Sequence, residues 1–234
     1  MKELQRVQKN QEIVVQNLLI KEDIEEDSIV EAKHLEVKGI VYQDSSQYVR
    51  EAILNIHKGN IRCHHVSIEK LKDGEVHATN AHIKEIYGGE VYAQNIYIEN
   101  IYKPTTIVAS SVIIIKSLKT SGCTFKINYK EVPILESKIE LIEDDILEYT
   151  EKLFEAKKHN PLEVPHLQNK IQELSVELKI ILNSASNANI EIIGLVPKEN
   201  NIVFTVENKD IAIITEEKNY KSFHLDINNL KIIS

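Results

Sequence analysis

Five histidines crowd into one short stretch of the chain: His57, His64, His65, His77 and His82. Neutral imidazole is a common ligand for transition metals, so a metal centre is the first chemistry to weigh. A ligand set would need cysteines or carboxylates returning at a fixed spacing, and none does. The pattern favours polar histidines that face outward from a repeating structure. Cys63 and Cys123 offer nucleophiles only where a neighbouring cation or base lowers the thiol pKa. Cys63 alternates with apolar residues and reads as an inert core position. Cys123 follows Gly122, reads as open to solvent, and has only Lys119 and Lys126 beside it. No P-loop, GxGxxG, GxSxG or HExxH motif occurs. The expectation is a chain without catalytic residues, cofactor or metal.

Composition narrows the partners. Apolar types make up 42% of the 234 residues and charged types 27%, ordinary for a globular protein. Acidic residues outnumber basic ones 36 to 28, a net charge of −8. Phosphate binding needs a basic face, so nucleic acid is not the expected partner. Two cysteines far apart in sequence make no disulfide framework, which fits a reducing, cytoplasmic setting. The opening MKELQRVQKNQEIVV is charged throughout, without a signal-peptide core. The apolar run near Ile107 to Ile115 is too short to span a bilayer.

The elements that must hold these residues come from a repeat. Apolar or small residues return at offsets 0, +2, +5, +7 and +10: Val30, Ala32, Leu35, Val37 and Ile40; Ile61, Cys63, Val66, Ile68 and Leu71. Val76, Ala78, Ala81, Ile83 and Ile86 follow, then Val91, Ala93, Ile96, Ile98 and Ile101. A further copy reads Ile107, Ala109, Val112 and Ile114, with Leu118 one place late; Ile13 to Ile20 gives a weaker one. A degenerate copy is represented by Val49, Leu54 and Ile56. Steps of two put side chains on one face of a strand, and the odd step between them turns a corner. The second position is small in every strong copy, and the corner carries His65, Asn80, Asn95 and Ser111, a polar ladder. The prediction is a mainly β fold: a single-stranded, right-handed parallel β-helix of about seven rungs over residues 1–130.

From Leu135 the spacing changes. Leu135, Ile139, Ile142, Ile146, Tyr149 and Leu153 step by 4 and 3, as do Leu167, Ile171, Leu174, Leu178 and Ile181. Asn160 and Pro161 separate the two runs, which predicts an antiparallel coiled-coil hairpin over residues 131–184. Short β-prone runs at Ile190, Ile202, Ile211 and Phe223 predict a C-terminal β segment, residues 185–234, that caps the solenoid.

A β-helix of such rungs, then a helical hairpin and a short β tail, resembles the flagellar assembly protein A family. The residues that carry the likeness are GNIRC from Gly59, GEVHA from Gly74 and GEVYA from Gly89, with VEAKHLEVKG from Val30 upstream. The rung-opening glycine is missing at Val30 and Ile107. The resemblance implies a non-enzymatic scaffold for flagellar or polar machinery, acting through protein contacts. Bactofilins, polymer-forming β-helix proteins, are the second resemblance. An acyltransferase built on hexapeptide repeats comes third, because the rung step does not match a hexapeptide run.

Two outward columns grow more apolar toward the C-terminal rungs: Arg62, His77, Tyr92, Val108, and Ser67, His82, Tyr97, Ile113. A solvated face would not change in this way, whereas a covered one would. Tyr92, Tyr97, Val108, Ile113 and Ile115 are therefore the expected interaction face, covered by the hairpin base or by a partner such as a second copy in a homodimer.

Overall fold

The structure is a computed structural model and describes residues 1–219 and 222–234. Strands β1 (Lys2–Leu4), β2 (Glu12–Ile20), β3 (Ile29–Val41), β4 (Ser46–His57) and β5 (Asn60–Leu71) open the chain. They are followed by β6 (Glu75–Ile86), β7 (Glu90–Ile101), β8 (Thr106–Leu118) and β9 (Thr124–Ile127). Each pairs in parallel with the next, giving a parallel β-solenoid of about eight turns. Within a turn the strand bends twice and serves three sides. Alternation sends every second residue inward: in β6, Val76 and Ala78 on the first side, Ala81 and Ile83 on the second, and Ile86 on the third, all buried.

Because neighbouring turns stack in register, these positions form five interior columns. Cys63, Ala78, Ala93 and Ala109 stand directly above one another as the small column. Each fully buried Ile, Leu or Val elsewhere in the stack contributes about 1.5–3 kcal/mol of burial free energy. Between β5 and β6 the chain turns through Gly74 at φ +80°, where a Cβ would lie 1.9 Å from the carbonyl oxygen of Gly59. Successive corners touch backbone to backbone there, and only glycine fits.

Several expected positions shift. The turns number about eight rather than seven, because β1 and Val7 begin an extra one at the N-terminal end. The β3–β4 register shifts after Val37, so Val41, fully buried, takes the fifth interior place in β3 instead of Ile40. The β7–β8 register shifts after Ala93, because β8 holds one extra residue at the corner. Ile113 and Ile115 therefore face inward and Ile114 outward, the reverse of the expected alternation. In β4 the fifth interior residue is His57, not Ile56, with Val41 below and Leu71 above.

After β9 the chain leaves the stack as α1 (Pro133–His159) and α2 (Val164–Leu182). Prolines sit in the first turn of both, where a missing N–H costs nothing, and Pro161 follows the end of α1. Lys138 near the start of α1 pairs with Glu177 near the end of α2 at 2.7 Å. Leu135, Ile142, Leu167 and Leu174 are buried, while Ile139, Ile146, Leu153, Ile171 and Leu178 are only half-buried.

The chain then re-enters the solenoid. β10 (Asn189–Ile192) lies in parallel on the second side of β8, Ile190 against Ile113 and Ile192 against Ile115. β9 already lies on the first side, Phe125 against Ile107. One turn is thus assembled from two separate pieces, with both helices inserted between them. β11 (Leu195–Val196) leads to β12 (Asn201–Val206), parallel to β9, and β13 (Lys209–Ile214) closes back on β12. Lys126 of β9 ties these parts together, 2.8 Å from Glu131 and 3.1 Å from Asp210. At the N-terminal end, Arg6 reaches Glu22 at 2.7 Å and Glu25 at 3.5 Å.

Candidate interaction face

The same stacking that builds interior columns builds exterior ones. On the first side, Tyr48, Arg62, His77, Tyr92 and Val108 follow one another turn by turn. The His77 ring donates from Nε2 to the Glu75 carboxylate at 2.9 Å and stacks on Tyr92 with centroids 5.1 Å apart. Burial, and after it the hydroxyl's bond to Glu90, pushes the Tyr92 phenol pKa up. Val108 is fully buried beneath Val132 and Leu135, with Tyr92, Tyr129 and Ile134 around it. The base of α1 is what covers this column.

On the second side the column runs Ile53, Ser67, His82, Tyr97, Ile114. Here Tyr97 meets His82 edge to face at 4.8 Å, and the Lys116 ammonium stands 5.2 Å from the Tyr97 ring. Beside it runs the polar ladder, Glu51, His65, Asn80, Asn95 and then Val112 rather than Ser111. The Asn95 amide donates to Asn80 at 3.0 Å, and Asn80 meets His65 at 3.2 Å. Column and ladder flank an open groove of about 840 Å³ along the second side. Ile53 is 60% exposed at its N-terminal end.

The expected face is therefore divided. Tyr92 and Val108 lie under α1, Tyr97 lines the groove, and Ile113 and Ile115 belong to the core. Ile53, Val112 and Ile114 are the apolar groove residues that the sequence pattern missed. Ile53 was hidden because its turn holds polar Gln47 and His57 at interior places, which blurs the repeat.

The chain matches no family model, no curated protein and no solved structure.

The histidines do not converge. His64 meets Thr79, His65 belongs to the ladder, His77 and His82 sit on different sides, and His57 is inside. Among the described residues no group of three or more His, Cys, Asp or Glu is placed to hold a metal ion. His57 corrects the expectation of outward histidines: it is fully buried, and neither ring nitrogen makes a hydrogen bond of ordinary geometry. Burial pushes its pKa down to about 4, against a smaller opposing effect of the Glu75 and Gly59 backbone. Both thiols are buried, Cys123 completely so, contrary to its expected exposure. Burial pushes the Cys63 thiol up to about 12 and raises that of Cys123 as well. Neither is poised as a thiolate. No helix among the described residues is long and apolar enough to cross a membrane.

Proposed function

We propose that the chain is a cytoplasmic, non-enzymatic scaffold that holds protein partners along the second side of its solenoid. The observation that carries this reading is the open groove lined by Ile53, Ser67, His82, Tyr97 and Ile114, which is apolar at both ends, while on the first side Tyr92 and Val108 are covered by the base of α1. Exposed apolar side chains set beside a polar ladder in an open groove mark an interaction site. Every turn is hydrogen-bonded to its neighbours and its interior is filled, so the groove is preorganised and loses little freedom on binding.

In this reading α1 and α2 form an antiparallel coiled-coil hairpin whose base seals the Tyr92 and Val108 column. β10, β12 and β13 cap the last turns and hide the backbone edge of the Val112 to Ile115 run from other chains. The resemblance to the flagellar assembly protein A family implies partners in flagellar or polar machinery. A bactofilin-like filament needs bare terminal turns that stack end to end, and the strands laid over β8 and β9 weigh against it.

A photo-crosslinking residue placed at Ile53, Tyr97 or Ile114 in the cells of origin is expected to trap one common partner. The same residue at Lys58 or Lys72, neither of which lines the groove, is expected not to. An adduct pattern that is indistinguishable between the two sets overturns the groove as the interaction face. Negative-stain microscopy separates the filament reading, which alone yields long fibres.

A further inference from the structure

The helix pair carries an apolar seam that its own partner helix does not use. On α1 the buried and half-buried stripe is Leu135, Ile139, Ile142, Ile146, Tyr149 and Leu153. Leu147 and Phe154 lie about a third of a turn round the helix from that stripe. They are 61% and 62% exposed. Being seven residues apart, they share one face over two turns. Glu143 and Asp144 precede the pair and Lys157 and Lys158 follow it, with Glu148, Glu151, Lys152 and Glu155 between these two charged pairs. Both charged pairs are exposed. Among the described residues, Glu143, Asp144 and Lys157 take part in no ion pair, and Lys158 meets only Glu155, at 3.5 Å. The Lys158 ammonium also stands 4.1 Å from the Phe154 ring.

These positions have a symmetry of their own. Leu147 and Phe154 are equidistant from a point between Thr150 and Glu151. So are Asp144 and Lys157, and so are Glu143 and Lys158. A second α1 laid antiparallel about that point therefore sets Leu147 of each copy against Phe154 of the other. The same operation sets each acidic pair against a basic pair, twice. A parallel arrangement would instead oppose like charges. Self-complementarity under a two-fold axis is what an isologous dimer interface requires. We infer that the exposed face of α1 from Glu143 to Lys158 is a self-association site whose occupant is the same face of a second copy of this chain, antiparallel to the first. The match is in charge as well as in apolar spacing, and no other partner is needed to explain both.

Sedimentation equilibrium of the full chain across the micromolar range tests it. The expected result is a mass that doubles with concentration, with association weakened by salt. Leu147→Glu and Phe154→Glu are each expected to raise the dimer dissociation constant at least about tenfold. Reversing either charge pair alone, by Glu143→Lys with Asp144→Lys or by Lys157→Glu with Lys158→Glu, is expected to do the same. All four reversals together restore the dimer, because the antiparallel match returns. Far-ultraviolet circular dichroism shows that each variant keeps its helices. A monomer at every concentration, a dimer indifferent to Phe154→Glu, or a four-site variant that stays monomeric overturns the inference. None of these outcomes bears on the groove of the second side, which the crosslinking experiment tests separately.

Discussion

His57 is a basic group in an apolar column, and that placement sets a definite pH dependence. Its pKa falls from 6.5 to about 4 in the folded chain because the ring is fully buried. Above pH 6.5 the ring is neutral in both folded and unfolded chains, and the full stability is present. As the pH falls below 6.5 the unfolded chain takes up the proton first, so folding weakens progressively until the folded ring also titrates near 4. At pH 4.5 the resulting loss is about 2.5 kcal/mol, because holding the ring neutral costs about 1.36 kcal/mol for every pH unit below 6.5. His57→Leu removes this cost and matches the neighbours above and below, Val41 and Leu71. At pH 7 the variant is expected to be at least as stable as the parent, because two ring nitrogens without well-formed hydrogen bonds no longer sit in the core. Urea unfolding of both chains at pH 7 and pH 4.5 measures the difference. Carboxylates contribute equally to parent and variant, so they cancel in the comparison. If both lose the same stability between the two pH values, His57 is not buried neutral in the stack, and the position given to it in β4 is wrong.

Other expectations follow from the same geometry. Ala93→Leu forces extra heavy atoms into the small column, where Ala78 and Ala109 leave no room; it should cost roughly 1–3 kcal/mol, read as a lower thermal midpoint. An unchanged midpoint would contradict the register of β7. A chain cut after Asn187 loses β10, β12 and β13 and bares the backbone edges of β8 and β9, so it should sediment as aggregate. A soluble, monodisperse fragment would show that those edges need no cover. Cys63 and Cys123 should resist a thiol reagent in the native chain at pH 8 and react only on unfolding, since both are buried and held as thiols. Rapid native labelling of either would show that the turns around it open.

The solenoid was legible because its interior obeys a strict alternation. Val76, Ala78, Ala81, Ile83 and Ile86 differ from their neighbours in kind, and the next turn repeats them at the same spacing. The pattern failed where one residue was added or one type was broken. The extra residue at the corner of β8 leaves a run of Val112, Ile113, Ile114 and Ile115, all apolar, from which no alternation tells inside from outside. His57 failed for the opposite reason: a titratable side chain at an interior place looks like a surface residue in sequence. The groove was half legible, through Tyr97 and His82, but Ile53 and Ile114 depend on the register that those two turns obscure. The split turn was not legible at all. β9 and β10 each supply one side, and a single side is too short to display the period of a complete turn.

That split turn gives the helix pair two anchors instead of one. α1 departs from β9 on the first side and α2 returns to β10 on the second, so the base of the arm is held across a corner of the rod. An arm on a single linker is held at one point, whereas this pair is tied at two, to the strand that sets Phe125 against Ile107 and to the one that sets Ile190 against Ile113. A pull at the far end of the helices is carried as shear between parallel strands, which must slip or part along their whole length before the arm yields.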